Sequence, residues 1–216
     1  MKSLLIIGLG RFGTHLAMNL MELGNEVMAV DKDEAVVQKL VPSVTRAEIG
    51  DCMEVEVLKA LGVSNFDICF VCISDEFQAS LEITSLLKEL GAVKVIAKAD
   101  RELHAKFLLK VGADEVIYPE RDMAKRTAMK YHARNAFDYF ELATDYAIAE
   151  LEVPKSWCGK SLRQLDVRTK HRINVIGVKM DEHVTPMTNP DFAFHCGDRL
   201  VIAGRKQDIA AILSGK

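Results

Sequence analysis

The stretch that most limits the fold is residues 3–31, SLLIIGLGRFGTHLAMNLMELGNEVMAVD. Residues 4–7 are an apolar run that predicts a buried strand. The run enters Gly8-Leu9-Gly10-Arg11-Phe12-Gly13, a G-x-G-x-x-G turn. Helical spacing follows, with Phe12, Leu16, Leu20 and Leu23 near one face, and Gly24-Asn25 stops it. Residues 26–30 predict a second strand ending in Asp31. Strand, glycine turn, helix, strand and acid in this order mark a dinucleotide-type fold. Gly8 permits the tight turn, Gly10 lets the backbone approach a phosphate, and Gly13 lets the helix pack closely on the strand. The helix N-terminus offers unpaired N–H groups and partial positive charge to an anion. Asp31 is placed to accept hydrogen bonds from ribose hydroxyls. Arg11 is the odd residue, because a cation in the first helical turn opposes the helix dipole. Either it is a solvated surface arginine, or it meets phosphate oxygens of a nucleotide on its own subunit or a neighbour's.

The alternation then repeats. Helices are expected over residues 32–40 (Asp33 as N-cap), 53–61, 76–90 (Ser74 and Asp75 as caps) and 101–111. Strands are expected over 44–48, 67–73, 93–97 and 115–118. Repeated βαβ units over about 118 residues imply an α/β class fold, a Rossmann-like doubly wound parallel sheet with helices on both faces. Ligands of such sheets sit beyond the carboxyl ends of the strands. That places the glycine loop, Asp31, Lys32, Gly50, Asp51, Ile73, Ser74, Asp75, residues 98–100 and residues 119–121 at the candidate site.

Pro119 starts a helical stretch reaching to about residue 136. Its apolar positions, Met123, Ala124, Thr127, Ala128 and Tyr131, are small or flexible. Packing against a second copy of itself is the simple expectation; folding back on its own domain is the alternative. Beyond it the texture changes. Strands are expected over 137–142, 146–153, 173–180 and 199–203, with a turn at Asp181-Glu182-His183 and a terminal helix over 207–213. This predicts a small α+β C-terminal domain. The expected domains are 1–118 (nucleotide-binding), 119–136 (crossover and dimerisation helix) and 137–216.

A net charge of −3 on 216 residues gives no electrostatic footprint for nucleic acid or an anionic membrane. Apolar residues at 49% and charged residues at 27% fit a soluble globular protein. No apolar run approaches the roughly 18 residues of a spanning helix. Met1-Lys2-Ser3 leads directly into the first strand, so a signal peptide is not expected and the cytoplasm is. Five cysteines, an odd count, argue against a disulfide framework in such a compartment. Cys69 and Cys72 form a C-x-x-C inside an apolar strand, where positions three apart face opposite sides. Packing is therefore expected rather than redox or metal chemistry.

The loop GLGRFG, Asp31-Lys32, Gly50-Asp51, Lys98 and the run Tyr118-Pro119-Glu120-Arg121-Asp122-Met123 resemble the RCK domain of the KtrA/TrkA family of potassium-transport regulatory subunits. The C-terminal lobe is similar to the RCK C-terminal domain, through Glu150-Leu151-Glu152-Val153-Pro154, Trp157-Cys158-Gly159-Lys160-Ser161-Leu162 and Ile173-Asn174-Val175-Ile176-Gly177-Val178. The resemblance implies a non-enzymatic subunit that binds ATP or ADP at the glycine loop. It implies homodimers assembled into an octameric ring beneath a KtrB-type membrane potassium translocator, at the inner face of the cell membrane. Arg11 matches an arginine reaching the terminal phosphate of ATP in the neighbouring subunit. Asp31 matches the ribose acid, and Lys98 a basic residue near the phosphates. Glu120 matches a glutamate that, from two subunits, holds a divalent cation such as Mg²⁺ or Ca²⁺. Relatives' C-terminal lobes bind cyclic di-AMP, and Arg168, Asn174, Val175, Ile176 and Pro190 stand at matching positions.

The rival reading is a small NAD-dependent oxidoreductase, with Asp31 favouring NAD over NADP. Against it, no acid/base pair lies beside the expected nicotinamide position and the six histidines are scattered. Zinc spacing, a G-x-S-x-G elbow and a Walker motif are also absent from the sequence. A structural dimer with a vestigial pocket is the third reading.

Overall fold

The computed structural model describes residues 1–132, 136–180 and 183–214. The chain divides into two compact units, Met1–Glu120 and Arg121–Lys216.

The first unit alternates strands and helices without a break. Its strands are β1 (Ser3–Ile7), β2 (Glu26–Asp31), β3 (Arg46–Ile49), β4 (Ile68–Val71), β5 (Val95–Lys98) and β6 (Glu115–Ile117). Between them lie α1 (Arg11–Glu22), α2 (Glu34–Leu40), α3 (Val55–Leu61), α4 (Phe77–Glu89) and α5 (Glu102–Lys110). The six strands form one parallel sheet in the order β3-β2-β1-β4-β5-β6. The order reverses between β1 and β4, so a crevice opens there at the carboxyl ends.

The strand sequences explain why both faces are covered. Leu5 and Ile7 join the core on one face with Val30, Cys69, Val71, Ile83 and Leu87. Leu4 and Ile6 join the other with Ala17, Val27, Ala29, Phe70 and Cys72. An apolar strand with period-two alternation feeds both layers, which is why these strands read as continuous runs. Cys69 and Cys72 fall into different layers, as their spacing predicts. Asp33 caps α2 by accepting a hydrogen bond from the Ala35 N–H (2.9 Å). The expected cap at Ser74 and Asp75 is not formed. Glu76 occupies the N-cap of α4 without a side-chain bond, and Ser74 faces Lys98 instead.

Helix α6 (Pro119–His132) follows β6. The expected extension to residue 136 falls partly on 133–135, outside the described residues. The second unit is an antiparallel sheet of β7 (Ala136–Glu141), β8 (Tyr146–Glu152), β9 (Ile173–Met180), β10 (His183–Pro186) and β11 (Arg199–Arg205), in the order β10-β9-β11-β8-β7. Two short helices, α7 (Leu162–Leu165) and α8 (Val167–Lys170), precede β9, and α9 (Lys206–Leu213) packs on β8 and β11. Leu151, Trp157, Ile173, Phe194, Leu200, Ile202 and Ile209 are buried in its core. Of the expected turn at Asp181-Glu182-His183, the first two residues lie outside the described residues.

One sequence expectation fails in this unit. Cys158 and Cys196 are joined in a disulfide, with Cα atoms 5.2 Å apart. The cause is a local pairing of two distant segments. The Gly159 N–H donates to the Phe194 carbonyl (2.8 Å), and the Phe194 N–H to the Lys160 carbonyl (3.1 Å). Ser161 bridges Ala193 in the same antiparallel sense. The cysteines are 38 residues apart, so no short-range pattern marks them.

Candidate nucleotide site

The crevice beyond β1, β2 and β4 is a cavity of about 910 Å³. Gly8, Gly10, Arg11, Phe12, Asp31, Lys32, Asp51, Ile73, Ser74, Lys98 and Glu120 all line it. Gly13 does not, because it lies beneath the loop, and of the strand-end residues expected at the site Ala99, Pro119 and Arg121 do not line it either.

The three glycines do different work. Gly8 has φ +92°, a backbone region that side chains disfavour. A Cβ on Gly13 would stand 2.0 Å from the Gly8 carbonyl oxygen, so only hydrogen lets α1 approach β1. A Cβ on Gly10 would meet nothing within 4 Å, so that position faces open cavity. Gly10 is also the N-cap of α1 and supplies no side-chain bond. The first-turn N–H groups of α1 therefore lack intrahelical partners at the cavity wall.

Asp31 ends β2 with both carboxylate oxygens engaged. Oδ2 accepts from the Leu9 N–H at 2.6 Å, and Oδ1 from the Asp33 N–H at 2.9 Å. The acid thereby ties the end of β2 to the glycine loop and keeps lone pairs for a further donor. Lys32 and Glu76 form an ion pair across the cavity lining at 2.7 Å, which raises the lysine's pKa through the hydrogen bond and the nearby charge. Both side chains are more than half exposed, so the pair adds little stability.

The cationic wall is built by Lys98 and Arg11. Lys98 ends β5 and is only 9% exposed. Its Nζ donates to Ser74 Oγ at 3.1 Å and pairs with Glu120 Oε1 at 3.0 Å. It also lies 6.0 Å from the centre of the Phe12 ring. Glu120 itself is 64% exposed. The hydrogen bond from Lys98 is the main cause that holds its carboxyl below the ordinary value, with its own backbone N–H and the Arg11 charge adding to it. Arg11, exposed on the first turn of α1, makes no ion pair among the described residues. Two cations thus stand on one wall, one spent on Ser74 and Glu120 and one free.

The C-terminal candidates are arranged differently. Asn174 and Ile176 lie on the exposed side of β9, Val175 is half-buried, Arg168 is exposed on α8 and Pro190 is exposed in a loop. The register of β9 against β11 shifts at this point: Gly177 pairs with Val201 and Val175 with Ile202, leaving Ile176 as the bulged residue. None of the five lines the second cavity, of about 670 Å³, beside Trp157, Lys160, Lys170 and His171.

The TrkA-N domain model matches residues 4–119 and the TrkA-C domain model residues 148–214. The chain is 39% identical over 209 residues to the Ktr system potassium uptake protein C of Bacillus subtilis (strain 168), spanning 97% of this chain and 95% of that protein. This chain belongs to the TrkA/Ktr family. The Ktr system potassium uptake protein A of the same organism is 36% identical over 208 residues, 96% of this chain and 94% of its own length. Among solved structures, the GsuK channel matches with a TM-score of 0.72 at 20% identity, covering 98% of this chain and 38% of that one. The GsuK channel bound to NAD matches at 0.70, again with 20% identity and the same coverage. At that identity these structures establish the fold. The TrkA/Ktr relatives are potassium-uptake proteins rather than enzymes, which sets aside the oxidoreductase reading.

The cavity of this family member also holds residues that the sequence pattern does not single out. His15 lines it one helical turn beyond Arg11. Its i, i+4 spacing from Arg11 on an exposed helix face is the available signal. Cys52 lies under Asp51, where burial, with Asp51 and Asp31 adding to it, pushes its thiol up to about 12. Nothing in the local sequence pattern marks this position as part of the cavity lining.

Proposed function

We propose that this chain is the nucleotide-sensing regulatory subunit of a Ktr-type potassium uptake system. What supports the reading most is the free Arg11 beside the Lys98–Glu120 pair, on one wall of a crevice headed by an uncapped helix N-terminus. ATP and ADP differ by one phosphate, so a sensor needs cations that meet only the third. Arg11 is uncommitted and carries a planar fork suited to phosphate oxygens.

Lys98 makes the switch sensitive to occupancy. A phosphate that takes Lys98 takes it from Glu120, and a carboxylate left beside phosphates is repelled unless a hard cation sits between them. Among the described residues no group of three or more His, Cys, Asp and Glu side chains can hold a metal. A Mg²⁺ or Ca²⁺ ion here would need Glu120, phosphate oxygens and the Glu120 of a second copy. The ion would screen the two carboxylates from each other and from the phosphates. Contacts shared between copies let ATP and ADP favour different quaternary arrangements by their differential affinity. The natural assembly is a homodimer, with α6 at its seam and Met123 exposed on it, built into an octameric ring. The ring acts on a KtrB-type membrane translocator at the inner face of the cell membrane. Arg168, Asn174, Val175, Ile176 and Pro190 are proposed to bind cyclic di-AMP across a dimer interface, together with the same residues of a second copy. NAD remains the competing ligand of the crevice, since Asp31 suits any adenosine ribose.

Thermal unfolding with ATP, ADP and NADH added separately tests the reading. Stabilisation by ATP and ADP, with a light-scattering mass that differs between them, is expected. A large shift with NADH and none with ATP or ADP would reject it.

A further inference from the structure

We propose that Cys158 and Cys196 form a reversible dithiol–disulfide latch that fastens residues 158–163 to residues 190–196 of the C-terminal unit. Three observations lead there. The two cysteines are bonded to each other, while Cys52, Cys69 and Cys72 are free and buried. Cys196 is exposed and Cys158 partly so, which leaves the bond open to a small thiol. The bond also closes one end of a ladder. That ladder runs through Gly159, Lys160 and Phe194, then Ser161 and Ala193, to the Arg163 N–H on the Pro190 carbonyl (3.0 Å). At its far end Arg163 Nε pairs with Asp191 Oδ1 at 2.7 Å, both side chains being more than 60% exposed.

The chemistry selects this pair. Burial pushes the thiols of Cys52, Cys69 and Cys72 up to about 12, so they carry almost no thiolate near neutral pH. Opening the latch consumes two equivalents of a low-molecular-weight thiol. A thiolate attacks Cys196 Sγ, the S–S bond breaks, and Cys158 leaves as a thiolate that takes up a proton. A second thiolate attacks the sulfur of the external thiol in that mixed disulfide. It releases the low-molecular-weight disulfide and Cys196 as a thiol. The protein gains two electrons and two protons; the two external thiols lose them. Closing reverses each step with the external disulfide as oxidant.

The mechanical consequence lies in the ladder. With the bond closed, the 190–196 segment is held at both ends. With it open, the segment is held by a few backbone hydrogen bonds and an exposed ion pair, which is worth little. Local opening of the ladder then becomes easier without loss of the core around Phe194 and Trp157.

The test uses the full-length chain in glutathione and glutathione-disulfide buffers of graded ratio. Samples are alkylated and each cysteine is read by mass spectrometry. Cys158 and Cys196 should change together along one redox titration, with Cys52, Cys69 and Cys72 unmodified while the protein stays folded. Hydrogen exchange on the two end states should show the amides of Gly159, Arg163 and Phe194 exchanging roughly tenfold faster or more when reduced, as expected for a lost local restraint. The Cys196→Ser variant should show the fast pattern in both buffers. Independent alkylation of Cys158 and Cys196 under fully oxidising conditions would overturn the pairing. Equal exchange in the two end states would overturn the latch.

Discussion

Gly10 and Gly13 are three residues apart, the one at the N-cap of α1 and the other within its first turn, and substitutions at them should fail in opposite ways. Adding a methyl group to each separates packing from ligand approach. At Gly13 the new Cβ would lie 2.0 Å from the Gly8 oxygen, 3.1 Å from the Gly8 carbonyl carbon and 3.2 Å from Cys72 Cβ. Two of these atoms are backbone, so α1 must move away from β1 by more than an ångström. Overpacking of this kind costs up to about 3 kcal/mol. The better helix propensity of alanine returns at most about 1 kcal/mol. The net loss for Gly13→Ala is then about 2 kcal/mol, which for a unit of this size lowers the unfolding midpoint by roughly 6–12 °C. At Gly10 the Cβ meets nothing within 4 Å, and φ −62° with ψ −176° is open to any residue. Gly10→Ala should lose under about 1 kcal/mol, from a poorer N-cap. It should nevertheless weaken ATP by about tenfold or more, because the methyl group occupies the space a phosphate needs; that is about 1.4 kcal/mol. Thermal unfolding without nucleotide and calorimetric titration with ATP read the two effects. A Gly13→Ala protein as stable as the parent would exclude the steric role of Gly13, and a Gly10→Ala protein that binds ATP undiminished would exclude phosphate approach at Gly10.

The Lys98–Glu120 pair gives a pH signature. The Glu120 carboxyl is held below its ordinary value of 4.5, so its contribution is complete above that value and is lost as pH falls through the lowered one. Between about pH 5 and pH 3 the parent should therefore lose slightly more stability than Glu120→Gln, by under about 1 kcal/mol because the carboxylate is largely exposed; parallel pH profiles of the two proteins would contradict this. In the C-terminal unit, Arg126 Nη2 holds Asp138 Oδ2 at 2.8 Å while its guanidinium lies 3.9 Å from the Phe140 ring centre. Arg126→Lys keeps the charge but loses the fork and the stacking, and should destabilise that unit by about 0.5–1 kcal/mol in urea unfolding. Glu120→Gln should also abolish any effect of Mg²⁺ or Ca²⁺ on the ATP-bound light-scattering mass.

The first unit is the more legible because its signals are local. Leu4 to Ile7, the three glycines and Asp31 lie within a single βαβ unit, and each is demanded by its nearest neighbours in sequence. The same holds for Cys69 and Cys72, whose spacing alone sends them to opposite faces of the sheet. What escapes depends on distant parts of the chain. The Cys158–Cys196 bond arises because the 193–196 segment returns to residues 158–161, and nothing within either segment announces the other. Ser74 reads as a cap for α4, but Lys98 on the neighbouring strand claims its hydroxyl. Ile176 reads as one more alternating strand residue, and only its pairing with β11 makes it a bulge. His15 escapes for a different reason: helix periodicity assigns its face to solvent, and the cavity is part of that solvent face.

Arg11 is proposed to be the group through which the crevice distinguishes ATP from ADP. Calorimetric titration of the parent and of Arg11→Ala with each nucleotide tests it directly. A charge-assisted phosphate contact contributes about 1.5–3 kcal/mol, so Arg11→Ala should bind ATP roughly tenfold to a hundredfold more weakly while ADP binding stays close to that of the parent. Equal losses for ATP and ADP, or no loss for either, would contradict the account.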